Sequence, residues 1–584
     1  MCAIAGHVSF AAPPDERRVA RLLAALAHRG PDGTGQVRAG AACLGHNRLA
    51  LLDREGGAQP MRSPDGRWLL TFNGEIYNHD ELRAALAGAW RFRTRSDTEA
   101  LLAALVTWGA AALLRLDGMF AFFLWDAERH EGWGARDRLG VKPFVYASGD
   151  GELTFASEAK ALVAVASAAP RANGDAILEY LVAPCFSGVA APMFAGLENL
   201  PPGHLLRVRR DGVSRARWWR HALDPVADEP AAHVAAVRAR LGPAVTRSLA
   251  ADAPIGLFLS GGLDSTLLAA LGRDGLARAF TIAFAEQERF DYARSAIVIS
   301  NDEPFAQLAA QATHLPRETV AVARARLAED LETLATVDDA LPAWEQELAQ
   351  LHLARAARAH VKAVLVGDAA DETHFGYHFL YDDAATAGPA AILERFGGVP
   401  IRRDRLADPV AHFDRHYRAL VAEAGHTFDG REQRRLATTR LIVERWLPRL
   451  LHNGDIHCMA ASLEARVPFA DAALLTAAGR VPPALGLRDG VEKWVLREAA
   501  RDLVPEPIRR RRKSALPKDQ ASAPIYQQEV RRLLDETTPF LREFVDLPAL
   551  APLFDRPLLD ERERAALFRV IGLGHWSRRY NVRP

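Results

Sequence analysis

The stretch Ile255-Gly256-Leu257-Phe258-Leu259-Ser260-Gly261-Gly262-Leu263-Asp264-Ser265 constrains this chain more than any other, and the helix-like Thr266-Leu267-Leu268-Ala269-Ala270-Leu271 follows it directly. It reads as a buried strand, a turn of small residues and a helix start. Such a turn gathers backbone N–H groups, two hydroxyls and a helix N-terminus around one point, which suits a polyphosphate. The lysine of a Walker loop is missing. Leu259, Ser260, Gly261, Gly262 and Ser265 would therefore cradle phosphate without it, and Asp264 stays free to hold a cation such as Mg²⁺. The plainer alternative is a glycine turn that only joins strand to helix. That is the usual meaning of an isolated Gly-Gly, but Ser-Gly-Gly-Leu-Asp-Ser behind an apolar strand is more specific.

Downstream, strands expected over 279–284 and 361–366 alternate with long Ala/Leu helices such as 345–359. That alternation argues for a doubly wound, mostly parallel sheet with ligands at the carboxyl ends of its strands. After Val366 comes Gly367-Asp368-Ala369-Ala370-Asp371-Glu372. Three carboxylates within five residues repel one another unless a cation or solvent separates them. A solvated acidic turn is one reading; a metal–phosphate site is the more economical one, with Asp264 and Asp371 as Mg²⁺ candidates.

With 584 residues the chain calls for two or more domains. Lys plus Arg and Asp plus Glu number 73 each, which gives no support to a nucleic-acid or anionic-membrane partner. Four scattered cysteines form neither a disulfide framework nor a metal cluster, as expected of a reducing cytoplasm. No apolar run of about 18 residues and no signal peptide is apparent, so the expected location is cytoplasmic.

The N-terminal half holds a second constellation. Cys2 follows the initiator Met1, and removal of Met1 would leave a thiol and an α-amino group on one residue. That amine, with an ordinary pKa of about 7.7–8.0, can act as base for its own thiol. Arg48 lies in the strand expected over 44–53, as an edge-strand charge or a fork for a carboxylate. Asn73-Gly74 ends another strand, either as a hairpin turn or as two oxyanion-hole donors. Ser96 or Asp97 reads as a helix cap.

Together with Met1-Cys2-Ala3-Ile4, His28-Arg29-Gly30-Pro31-Asp32-Gly33 and Ala135-Arg136-Asp137-Arg138-Leu139-Gly140, these residues resemble the class II glutamine amidotransferase domain. That resemblance implies an N-terminal-nucleophile hydrolase αββα sandwich. It makes Cys2 the nucleophile, Arg48 the clamp on the glutamine α-carboxylate, Asn73 and Gly74 the oxyanion hole, and Glu75 and Asp97 contacts to the substrate's polar end. The two C-terminal loops, with Leu463-Glu464-Ala465-Arg466-Val467-Pro468-Phe469, Glu492-Lys493-Trp494-Val495-Leu496-Arg497-Glu498, Lys513-Ser514-Ala515-Leu516-Pro517-Lys518 and the closing Tyr580-Asn581-Val582, resemble the ATP-pyrophosphatase-type domain of glutamine-hydrolysing asparagine synthetases, which ends in a helical part.

The expected organisation is a glutaminase domain over 1–215, a linker over 216–235 and a synthetase domain over 236–584. The resemblance implies adenylation of a carboxylate by ATP and attack by ammonia drawn through an internal tunnel from the glutaminase site. It adds Gly367 to the ATP-binding loop residues, makes Lys493 the phosphate-neutralising cation, and lets Asp368 orient or deprotonate ammonia. Glutamine, ATP, Mg²⁺ and a carboxylate acceptor, aspartate by family default, are the implied ligands, and a homodimer is compatible. Amidation of another carboxylate is the near rival. An amide-closing cyclase and a silent nucleotide-binding protein are the more distant alternatives.

The resemblance weakens at the acceptor side. The family's Asp-Pro-Ser-type segment is Val337-Asp338-Asp339-Ala340-Leu341-Pro342-Ala343-Trp344-Glu345-Gln346 here, with a bulky Trp344 where a small polar substrate should sit. The acidic loop carries Val366, Ala369, Thr373 and His374 at altered places, and Asp455-Ile456-His457-Cys458 lacks the family's arginine. The run Arg509–Lys513 reads as a solvated or phosphate-facing segment.

Overall fold

The computed structural model describes residues 2–284, 290–295, 298–515 and 521–584; Met1, Leu516, Pro517 and Lys518 of the motifs above lie outside them. Among the described residues the N-terminal part has twelve strands: β1 (Cys2–Ser9), β2 (Gly33–Ala39), β3 (Ala42–Arg48), β4 (Met61–Arg62), β5 (Trp68–Ile76), β6 (Gly118–Asp126), β7 (Glu131–Arg136), β8 (Val145–Gly149), β9 (Glu152–Ala156), β10 (Glu198–Asn199), β11 (His204–Arg209) and β12 (Gly212–Arg217). They form two antiparallel sheets, ordered β10-β8-β9-β1-β3-β2 and β12-β11-β7-β6-β5-β4. The inner faces share one core, in which Ile4, Val8 and Leu44 meet Leu69, Phe123 and Trp125.

Helices close both outer faces. Glu16–Ala25, capped by Asp15, buries Val19, Leu22 and Leu23, which the helical period places on one side. Asp97–Trp108 packs Leu101, Leu102 and Leu105 against Phe72 and Phe122 of the other sheet. Its helical stretch to Leu114 reaches 18 residues with a mean hydropathy of 1.4, against the expectation that no apolar run is that long. It is a core helix: Leu101–Ala104 are fully buried inside the domain, and Asp97 and Glu99 stand in its first turn.

The strand expected over 44–53 stops at Arg48, because its guanidinium takes the carbonyls of Leu52, Asp53 and Arg54 and turns the chain back. Asn73-Gly74 makes no hairpin. Both residues lie inside the β5–β6 ladder opposite Ala121 and Phe120, and a Cβ on Gly74 would fall 2.0 Å from Met119 O.

After β12, residues 218–229 carry no regular element, and the Asp224 and Val226 amides bond to Gly479 and Arg480 carbonyls. Helix Pro230–Ser248 then leads into β13 (Ile255–Phe258), β14 (Leu276–Phe284), β15 (Arg317–Val322), β16 (Ala363–Leu365) and β17 (Glu464–Arg466). All neighbours in the order β15-β14-β13-β16-β17 are parallel. The order runs outward one way from β13 and then the other way from β16, so the switch point lies between those two strands. Ligands bind in the crevice outside such a point. The remaining chain is mostly helical, from Pro409–Glu423 to Glu561–Tyr580, the last with a reciprocal Asp560/Glu563 capping box.

Candidate functional site

At the first site, Cys2 at the head of β1 pairs directly with Arg48 on β3. Burial pushes the Cys2 thiol up, so it is neutral at rest. The Cys2 nitrogen lies 3.0 Å from Asn73 Oδ1, while Asn73 Nδ2 is buried without a hydrogen-bond partner among the described residues. That leaves one oriented donor unspent next to the thiol-bearing residue. Arg48 is held by three carbonyls and pairs with no carboxylate among the described residues. Asp97 Oδ2 accepts from Ile76 N at 3.0 Å, and Ser96 caps the helix by accepting from Thr98 N. Glu75 reaches the other half of the chain, where its Oε1 lies 3.2 Å from Arg466 Nη2. Burial pushes Glu75 up to about 8 against the pull of Arg466, and the neighbouring carboxylates Glu464, itself 2.5 Å from Arg466, and Asp97 add to the rise.

The second site occupies the switch point. Thr281 Oγ1 donates to Leu259 O, and Ser260 Oγ lies 3.2 Å from Ser265 Oγ, which fixes the loop's curvature. Gly261 has φ +70° and passes so close to Ala306 N that a Cβ would lie 2.2 Å away. Asp264, after β13, and Asp371, after β16, share the Lys493 ammonium at 2.5 and 2.6 Å. Lys513 Nζ takes the other Asp371 oxygen at 2.6 Å. Burial works against the Asp371 charge, yet the two ammonium groups hold its carboxyl well below the usual range; Asp264 goes up under burial. Asp264 Oδ1 is buried with no hydrogen-bond partner among the described residues. Two carboxylates that already bracket one cation, with an oxygen to spare, fit a divalent ion. Burial lifts Asp368 to about 6, and lifts Glu372, beside Asp371, to about 7. The loop, Gly367, Asp368, Asp371 and Lys513 line one cavity of about 340 Å³.

Helix Leu447–Ala460 runs between the two sites. Its Asp455 bonds Arg29 at 2.7 Å and Lys142 at 3.3 Å, both fully buried in the N-terminal part, and Arg29 Nε donates to Cys2 O. On its cavity side stands Gly454, where a Cβ would lie 3.4 Å from Asp368 Oδ2.

Lys513, Arg29, Lys142 and Arg466 had no individual role in the sequence reading. Lys513 was hidden in the basic run 509–513, whose members diverge: Arg509 pairs with Glu498 and Glu506, Arg511 with Asp302, and Lys513 turns into the cavity.

The sequence family described as asparagine synthase matches residues 236–578, and the glutamine amidotransferase domain matches residues 1–219. The chain belongs to the asparagine synthase family. Asparagine synthetase [glutamine-hydrolyzing] 3 of Bacillus subtilis is 29% identical over 96% of this chain and 93% of its own length. A putative asparagine synthetase [glutamine-hydrolyzing] of Mycobacterium bovis is 32% identical over 85% and 83%. Amidase chyE of Penicillium rubens is 27% identical over 83% and 82%. A member of this ligase family uses ATP and takes its nitrogen from glutamine.

Proposed function

We propose that this asparagine synthase family member adenylates a carboxylate and converts it to a carboxamide with glutamine-derived ammonia, its glutaminase and synthetase domains meeting across residues 216–235. The observation that carries the reading is that one buried helix, Leu447–Ala460, touches the surroundings of both reactive groups, Cys2 through Arg29 and Asp368 through Gly454.

In the first half-reaction the freed α-amine takes the Cys2 thiol proton, and the thiolate attacks the glutamine amide carbon while Arg48 clamps the α-carboxylate. Asn73 Nδ2 and the Gly74 N–H receive the oxyanion. Ammonia leaves with a proton, and water releases glutamate from the thioester. In the second, an acceptor carboxylate oxygen attacks the α-phosphorus of ATP, the bond to the β-phosphate bridge breaks, and pyrophosphate departs past Ser260–Ser265. Lys493 and Lys513 neutralise the charge that gathers there. Ammonia attacks the acyl carbon, its proton passes to Asp368, and AMP leaves. Mg²⁺ held by Asp264 and Asp371 would screen the phosphate charges. By the relatives' names the default acceptor is aspartate, giving asparagine.

Glutamine hydrolysis and ATP cleavage by wild type and Cys2→Ala test the reading. Cys2→Ala should lose glutamine hydrolysis and keep ammonia-dependent formation of AMP and pyrophosphate. Glutaminase activity surviving in Cys2→Ala, or ATP cleaved to ADP, would refute it.

A further inference from the structure

Part of the cavity wall is phosphate-loop and strand-end chemistry; the rest is aromatic. Trp344, Tyr377, Phe379, Phe396 and Trp446 all line it and touch one another in sequence. Tyr377 stacks on Trp446 with centroids 5.0 Å apart, Phe396 meets Trp446 edge-on at 5.1 Å and Trp344 at 5.6 Å, and Phe379 lies 5.7 Å from Tyr377. Trp344, Phe379 and Phe396 are only partly buried, so they present apolar surface to the cavity. A continuous apolar wall in a concave site marks the part that grips a ligand's apolar body.

Among the described residues, the same lining offers no free cation to the second carboxylate of a dicarboxylate amino acid. Asp264, Asp302, Glu347, Asp368, Asp371 and Glu372 face it, while Lys513 is the one basic side chain lining it among the described residues and is bound to Asp371. Those acids would accept an α-ammonium, but the second carboxylate of aspartate would be desolvated with no unclaimed cation in the described lining, a costly position. Gln346 and Asn453, which also line the cavity, supply polar contacts without charge.

We infer that the acceptor is a monocarboxylic acid with a bulky apolar body, aromatic in size, whose ring or chain packs in the box made by Trp344, Phe379, Phe396 and Trp446 and whose single carboxylate meets the α-phosphate. This rests on the adenylation reading above.

The test is ATP–pyrophosphate exchange by the full-length wild-type chain with Mg-ATP, comparing 3-phenylpropanoate, indole-3-acetate and octanoate with L-aspartate and L-glutamate. Exchange should be at least about ten-fold faster with an apolar acid than with aspartate. Fastest exchange with aspartate or glutamate overturns the proposal and leaves adenylation standing. Exchange with none of the acids overturns adenylation itself, and the acceptor proposal with it. Trp344→Ser and, separately, Phe396→Leu should each lower the apolar-to-aspartate ratio about ten-fold. The ratio cancels any common loss of folded protein, and a ratio unchanged in both overturns the proposal.

Discussion

Replacing Asp455 with alanine puts the largest calculable strain on the junction between the two halves. Arg29 and Lys142 are both fully buried, and Asp455 is the carboxylate they share, at 2.7 and 3.3 Å. With an effective dielectric constant near 20 each contact carries a gross attraction of about 5–6 kcal/mol. Most of that offsets desolvation, and removing one partner of a buried pair costs about 3–5 kcal/mol net. Glu158 still holds Arg29 at 2.7 Å, whereas Lys142 keeps no carboxylate within 4 Å among the described residues, so the cost falls mainly on Lys142. At roughly 2–4 °C per kcal/mol for domains of this size, the melting temperature should drop by about 6–20 °C. Burial opposes the Arg29 charge but its two carboxylates raise its pKa further above the usual range, so Arg29 stays protonated. Thermal unfolding followed by tryptophan fluorescence reads this directly. Asp455→Leu combined with Lys142→Met, which removes both charges, should recover part of the loss. If Asp455→Ala melts within 1–2 °C of wild type, buried-charge pairing is not what holds the halves together.

Three further outcomes follow from the sites. Asn73→Ala removes the unspent Nδ2 donor and should lower glutaminase kcat by about 10²–10³-fold, with ammonia-dependent activity unchanged, as a coupled glutamate assay would show. Gly376→Ala would set a Cβ 1.9 Å from Asp371 Oδ1 and 2.5 Å from Lys493 Cε, so AMP formation should fall below detection while glutamine hydrolysis persists. Asp368, raised by burial to about 6, accepts a proton only as the carboxylate. At a fixed concentration of free ammonia the amidation rate should therefore fall about ten-fold per pH unit below 6, and Asp368→Asn should remove that limb while lowering the plateau.

What was legible in the sequence was local. The Ser260–Ser265 loop and the Asp368–Glu372 run announce themselves because small residues and clustered acids directly after apolar strands seldom serve packing alone, and the structure places both at one switch point. Arg48 and Asn73 were visible as candidates, but Asn73-Gly74 has the composition of a hairpin, and only pairing with β6 shows that the ladder runs through it. The junction was hidden. Arg29 and Asp455 are 426 residues apart, and nothing near either one predicts a partner. The length of the apolar stretch 97–114 was underrated because Asp97 and Glu99 interrupt its start, and only the packing of Leu101, Leu102 and Leu105 shows that its apolar face serves the domain core.

The placement of Asp455 also bears on how such enzymes can be recombined. A glutaminase half transplanted from a relative arrives with its own residues at the positions of Arg29 and Lys142, and one without cations there would leave Asp455 as a buried unpaired anion. The seam that can be cut is therefore not the chain crossing at residues 218–229. It follows the surface of helix Leu447–Ala460, and a working chimaera has to carry that helix with the N-terminal half it faces.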